Sequence, residues 1–139
     1  MAGPAPTPLN DPTPLTGDQY RQMVVSGTQY VEQHVDEINA LNVFPVPDGD
    51  TGINMLLTLR SANESNELPP AGTGTVAQVS AALSRGALLG ARGNSGVIFS
   101  QFVRGLARTF GGHADADASL LATAFIEGGI DTYRAVTHN

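Results

Sequence analysis

Apolar side chains recur at steps of three and four residues over most of the chain, which is the spacing of one helix face. The first run predicts one long helix, with Thr16 as its N-cap and its end at about Ala40. Four more runs predict helices that start near Thr51, cover Val76 to Ala87, extend from a glycine-rich turn to Phe110, and run from about Ala118 towards Val136. No run alternates with the period of a strand, so the predicted fold class is all-α.

Turn-forming residues mark the ends of the later helices. The glycine pair at 111–112 is predicted to end the fourth helix, and Asp115 or Asp117 to cap the fifth. A second glycine pair, Gly128 and Gly129, lies inside the fifth helix, where each glycine costs roughly 1 kcal/mol relative to alanine. This predicts close backbone packing or a kink at that point.

The first fourteen residues, MAGPAPTPLNDPTP, differ in composition from the rest of the chain. They hold five of the nine prolines and almost no bulky apolar side chains. Such a segment cannot bury enough surface to offset its ordering entropy. We therefore expect a flexible leader over 1–14 and one folded domain over 15–139.

Composition narrows the classes of function. The 139 residues are 41% hydrophobic and 14% charged, and the net charge is −6 with arginine as the only cation apart from histidine. This balance argues against non-specific binding of nucleic acid and against insertion into or binding to anionic membranes. Cysteine is absent, and no apolar run reaches the length of a membrane span or forms a secretory signal, so we expect a cytoplasmic protein.

The stretch NVFPVPDGDTGINM forms a stiff bend before the second helix. Pro45 and Pro47 fix their own backbone angles and push the preceding residues into extended conformations. Gly49 and Gly52 then allow a turn that a β-carbon would prevent. The acidic residues in this bend are therefore held on a preset loop.

Two carboxylates in this bend form a candidate metal site. Asp48 and Asp50 offer charged oxygens, and Asn42 at the end of the preceding helix could add a neutral one. Mg²⁺ favours a site with few carboxylates whose coordination is completed by water and phosphate oxygens. A plain turn followed by an N-cap explains the same residues. An EF-hand is excluded because Ile53 and Leu59 stand where its glycine and glutamate are required.

A second unusual loop, GARGNSGV, precedes the fourth helix and contains Gly90, Gly93 and Gly96. Free backbone N–H groups at a helix start, aided by the helix dipole, bind anions without any lysine, and Asn94 and Ser95 add side-chain donors. The loop lacks the Gly-Lys-Ser/Thr of a Walker A motif and the second glycine of a hydrolase elbow. Small residues for close helix packing remain an alternative explanation.

Arginine and histidine give weaker signals. Arg92 in this loop either pairs with a phosphate or is solvated. For His34, His113 and His138, a surface or capping role is favoured over catalysis.

The two loops make most sense together. A nucleoside triphosphate carries about four negative charges, and a carboxylate ~4 Å away repels each of them by about 4 kcal/mol at an effective dielectric constant of 20. Aspartates beside such a ligand are useful only when divalent cations lie between them. The sequence therefore favours acids that hold metal and metal that holds phosphate.

The segments NALNVFPVPDGDTGINM and GALLGARGNSGVIFSQFVRG resemble the N-terminal nucleotide-binding domain of the bacterial fatty acid kinase subunit, within the family of the dihydroxyacetone kinase L subunit (DhaL). The resemblance runs from about Leu15 to Val136. It implies an antiparallel helical barrel that binds ATP and two Mg²⁺ ions at one end. By motif, the metal ligands and the residues on which catalysis depends would be Asp48 and Asp50, and Asn42 would be the third metal ligand. The implied phosphate-binding residues are Thr51, Gly52, Asn54, Arg92, Gly93, Asn94, Ser95 and Gly96.

The resemblance also implies a reaction. Fatty acid kinases transfer the γ-phosphoryl group of ATP to a fatty acid carboxylate that a separate lipid-binding protein presents. One alternative is a dihydroxyacetone (glycerone) kinase L subunit that acts on a small ketose held by its partner. Another is a non-catalytic interaction module, since the family's domain continues with further helices beyond the position of Asn139. We expect a C-terminally incomplete barrel whose apolar faces are covered by another copy or subunit.

Overall fold

The computed structural model describes residues 13–41 and 49–137. All regular structure in these residues is α-helical, apart from an isolated antiparallel bridge between Leu15 and Ala116, so the predicted all-α fold is confirmed. Most of the proposed leader, together with Asn42 and Asp48, lies outside the described residues. The helices are α1 (Gly17–Gln33), α2 (Val35–Ala40), α3 (Thr51–Asn63), α4 (Val76–Leu89), α5 (Gly93–Phe110) and α6 (Ala118–Thr137).

The single long helix predicted up to Ala40 is wrong, because the chain breaks at His34. His34 leaves the helical conformation, with φ −118° and ψ 15°, and its N–H bonds to the Val31 carbonyl at 3.0 Å. Its ring nitrogen Nδ1 lies 3.2 Å from a carboxylate oxygen of Glu37. After the break, α2 packs against α3, which α1 also contacts.

The other helix boundaries agree with the predictions. Thr16 caps α1 in a reciprocal capping box with Gln19, and Thr75 caps α4 in the same way. Asp117 caps α6 by accepting a hydrogen bond from the Leu120 N–H at 2.7 Å. α5 ends at the predicted glycine pair, with Gly111 as its C-cap.

The core is centred on α4, which contacts α1, α3 and α5. Val76, Val79 and Leu83 of α4 are fully buried, and beside them Tyr20 and Phe110 meet edge to face with ring centroids 5.2 Å apart. Burial raises the pKa of the Tyr20 hydroxyl, so this side chain stays neutral. α4 thus forms the support on which α3 and α5 are positioned.

α5 and α6 approach each other backbone to backbone where two glycines meet. A β-carbon added to Gly105 would lie 2.7 Å from the Gly128 Cα and 2.8 Å from the Glu127 carbonyl oxygen. Gly128 also packs under Phe102, whereas Gly129 has open space around its α-carbon. The predicted close packing is therefore found at Gly128 and not at its neighbour.

One side of α6 is exposed although it is apolar. Its exposed side chains include Phe125, Ile126, Ile130, Tyr133 and Val136. In the described ranges, none of the helices combines the length and the apolar character that crossing a membrane requires.

Candidate functional site

The two motif loops come together where α3 and α5 begin. A β-carbon on Gly93 would collide with the side chain of Asn54, and one on Gly96 would lie 2.5 Å from Thr58 Oγ1. Both glycines therefore allow the start of α5 to lie directly against the first two turns of α3. The structure thus brings together the residues 50–54 and 92–96 that the sequence predicts to share a site.

The acidic side of this junction is Asp50, the N-cap residue of α3. Its side chain makes no capping hydrogen bond, and its carboxylate has no hydrogen-bond or ion-pair partner among the described residues. Gly49 before it has a φ of 68°, a left-handed conformation that favours glycine. The turn thus leaves a half-buried carboxylate without a structural task in the described part of the chain.

A free carboxylate on a tight turn is the kind of hard oxygen ligand that Mg²⁺ takes. Within residues 13–41 and 49–137, no group of three or more acidic or histidine side chains is close enough to hold a metal ion. The other two predicted ligands, Asp48 and Asn42, lie outside the described residues. Of the three predicted metal ligands, only Asp50 is among the described residues. Its carboxylate is a suitable ligand for Mg²⁺.

The start of α3 is closed by a residue that the sequence interpretation missed. Asn39 Oδ1 accepts hydrogen bonds from the N–H groups of Gly52 at 2.8 Å and Ile53 at 3.2 Å. Gly52 is packed so tightly that a β-carbon would lie 2.6 Å from the Val35 carbonyl oxygen. The resemblance implies that Gly52 lies beside the phosphates, but its N–H is already bonded to the protein. Thr51 stands at the first position of α3.

The start of α5 is open by contrast. Its first intrahelical bond runs from the Gly96 N–H to the Arg92 carbonyl at 3.0 Å, and Arg92 provides no side-chain cap. The N–H groups of Gly93, Asn94 and Ser95 have no acceptor among the described residues. Three free donors at the positive end of an 18-residue helix are the arrangement that anions favour.

Thr58 connects the two helix starts and was also missed. Its hydroxyl donates to the Asn54 carbonyl at 2.8 Å and accepts from the Arg92 N–H at 3.2 Å. An isolated threonine in an apolar helix face gives no sequence signal for such a contact. A clue to Asn39 was present, since asparagine forms helices poorly and is a good acceptor for a helix start.

An apolar cavity of about 410 Å³ opens beside the first turn of α5. It is bounded by α3, α5 and α6, and it gives space for an apolar group next to the free N–H donors. Its lining residues are Met55, Ser95, Ile98, Phe99, Phe102 and Thr132.

The remaining candidates lie on the surface. Arg92 is exposed and has no carboxylate partner among the described residues, which leaves it free either for a phosphate or for water. His113 is exposed in the α5–α6 connection, where its backbone N–H bonds to the Phe110 carbonyl at 3.0 Å. His138 lies outside the described residues.

Comparison with known proteins gives a family match that covers both loops almost completely. Residues 45–139 match the family model described as DAK2 domain. Protein YloV of Bacillus subtilis (strain 168) is 42% identical over 123 residues, which is 88% of this chain and 22% of YloV. Uncharacterized proteins of Staphylococcus aureus, from strains USA300 and NCTC 8325 among others, are 39% identical over 124 residues, again 88% of this chain and 22% of theirs. The chain thus spans about a fifth of the length of these relatives.

Proposed function

Because the chain belongs to the DAK2 domain family, we propose that it is the Mg²⁺–ATP-binding domain of a fatty-acid-kinase-like phosphotransferase. One observation carries this proposal. The unpaired carboxylate of Asp50 and the three free N–H groups of Gly93, Asn94 and Ser95 belong to adjoining helix starts. A carboxylate beside an anion-binding position is unfavourable unless a cation lies between them.

The two helix starts would have different tasks in nucleotide binding. Asp50, together with Asp48 and Asn42, would hold two Mg²⁺ ions, since oxygen ligands are what this metal requires. The free N–H groups at the start of α5 and the Ser95 hydroxyl would hold the phosphates. When bound, Mg²⁺ supplies neutralisation of the charge on the transferred phosphoryl group.

The proposed acceptor is a fatty acid carboxylate presented by a lipid-binding partner protein. A carboxylate oxygen attacks the γ-phosphorus, the bond from that phosphorus to the bridging oxygen breaks, and ADP leaves with the electron pair. An acyl phosphate is formed, and no general base is needed because a carboxylate is ionised at neutral pH. Positioning and charge neutralisation then provide the catalysis.

Two other functions are the alternatives to this proposal. A DhaL-type subunit that phosphorylates a partner-bound ketose would use the same Mg²⁺–ATP site. A non-catalytic interaction module is the second. The uninterrupted NVFPVPDGDTG segment favours the fatty acid kinase.

Reconstitution with a partner separates these functions. The chain is incubated with ATP and Mg²⁺ and either a fatty-acid-loaded lipid-binding protein or a dihydroxyacetone-binding subunit, with hydroxylamine present to trap acyl phosphate as a hydroxamate. We expect hydroxamate only in the reaction that contains the fatty-acid-loaded lipid-binding protein, and no hydroxamate when EDTA removes the metal. Phosphorylated ketose without hydroxamate would support the DhaL-type subunit, and nucleotide binding without turnover would support the interaction module.

A further inference from the structure

A single buried hydroxyl group holds the open start of α5 against α3. Thr58 is 0% exposed, and its Oγ1 contacts backbone groups of two elements, the Asn54 carbonyl at 2.8 Å and the Arg92 N–H at 3.2 Å. Gly96 lacks the β-carbon that would displace this hydroxyl. Both helices therefore contribute to the contact. α3 provides the polar side chain, and α5 provides a glycine that leaves space for it.

The contact with Arg92 distinguishes Thr58 from Thr109 and Thr132, and its backbone donor distinguishes it from Thr28, which accepts from the side chain of Asn63. Thr109 and Thr132 also donate to the carbonyl four residues earlier, at 2.9 Å in each case, which is a common local arrangement. Among the described residues, neither of these two hydroxyls accepts a bond from another element, whereas Thr58 accepts one from a backbone N–H thirty-four positions away. The hydrogen bond to Arg92 is thus a tertiary contact and not a by-product of helix formation.

Arg92 is the N-cap residue of α5, so its backbone position sets the direction in which the helix begins. It precedes Gly93, whose φ of 65° turns the chain into the helix, and Gly93 in turn packs on the Asn54 side chain. The hydrogen bond to the Arg92 N–H therefore fixes the backbone at the start of α5. This backbone position sets the directions of the N–H groups of Gly93, Asn94 and Ser95. Hydrogen-bond strength falls steeply with misalignment, so a small rotation of this turn would weaken several bonds to an anion.

We propose that Thr58 is a positioning residue that aims the phosphate-binding start of α5. This inference rests on the proposed function, because it concerns the same nucleotide site. Thr58 would not touch the nucleotide itself. Its hydroxyl would act through Arg92 and Asn54. Nucleotide affinity would then depend on Thr58, although this residue lies outside both motifs.

Matched substitutions test this role by titration with a non-hydrolysable ATP analogue and Mg²⁺. Thr58→Val keeps the shape of the side chain and removes both hydrogen bonds, and we expect it to raise the Kd about fivefold to tenfold, the scale of one lost hydrogen bond. Thr58→Ser keeps the hydroxyl and should bind within about twofold of the wild type. Thr109→Val is the control, because it removes the same type of local bond on α5 far from the turn. All titrations are made at a temperature at which circular dichroism shows each variant to be folded.

Hydrogen exchange gives a readout that does not depend on the nucleotide. The Arg92 amide should exchange faster in Thr58→Val than in the wild type or in Thr58→Ser, because it has lost its acceptor. If Thr58→Val does not fold, the pair Thr58→Ser and Thr58→Ala gives the same comparison. Wild-type affinity in the hydroxyl-free variant, or an equal loss in Thr58→Ser, would overturn the role of Thr58. A wild-type chain that binds no Mg²⁺–nucleotide would instead overturn the proposed function.

Discussion

Replacing Asp50 by asparagine is expected to remove Mg²⁺-dependent nucleotide binding while leaving the helical content nearly unchanged. The Asp50 carboxylate neither caps α3 nor pairs with another described residue, so its charge has no structural task there. Two unit charges ~4 Å apart interact by about 4 kcal/mol at an effective dielectric constant of 20, and 4 kcal/mol corresponds to roughly a thousandfold in affinity. Asp48→Asn should have the same effect if both acids hold the metal.

Calorimetric titration and circular dichroism on the same samples measure this prediction. Asp115→Asn is the matched control, because it removes the same charge from an exposed position in the connection between α5 and α6. The control should bind the Mg²⁺–nucleotide like the wild type. If Asp48→Asn and Asp50→Asn both lose their helical signal, the acids are structural and the metal assignment is wrong. Wild-type binding by Asp50→Asn would also remove Asp50 from the site.

A second large effect is expected at the crossing of α5 and α6. Gly105→Ala should lower the free energy of unfolding by about 1–3 kcal/mol, because the new methyl group would lie 2.7 Å from the Gly128 Cα and neither backbone can move freely. Gly129→Ala should raise the same free energy by about 0.5–1 kcal/mol, since the helix interior favours alanine and the space is open. Both are measured by urea denaturation followed by circular dichroism.

The opposite signs make this pair informative. Both substitutions add one methyl group to a helical glycine, so a difference between them reports packing and not helix propensity. A Gly105→Ala variant as stable as the wild type would mean that α5 and α6 do not approach backbone to backbone. A destabilised Gly129→Ala variant would mean that this face of α6 is covered.

The helix faces could be predicted because hydrophobic periodicity is a local property of the sequence. The break at His34 could not, since Val31, Val35 and Ile38 continue the helical spacing across it. Hydrophobic periodicity shows which face of a helix is apolar. It does not change when the helix axis bends while the same face stays turned towards the core. The sequence also predicted close packing or a kink at the glycine pair in α6. It could not show which of the two glycines packs against another helix, because this depends on the position of α5.

The site shows the same division between local and tertiary information. The free N–H groups at the start of α5 follow from a glycine-rich loop that opens a helix, so they could be predicted. Two similar helix starts were expected to hold phosphate together, yet Asn39 closes α3 from across the loop and leaves α5 open. Hydrogen bonds between residues far apart in sequence, such as those of Asn39 and Thr58, leave no periodic pattern to read.

The most direct test of the central claim is a calorimetric titration of the wild-type chain with a non-hydrolysable ATP analogue, with Mg²⁺ and again with EDTA. Saturable binding in Mg²⁺ that disappears in EDTA is the result expected from the free carboxylate at the start of α3 and the open start of α5, which adjoin each other. Equal binding in both solutions, or no binding in either, would contradict the proposal that these two helix starts form a metal-dependent nucleotide site.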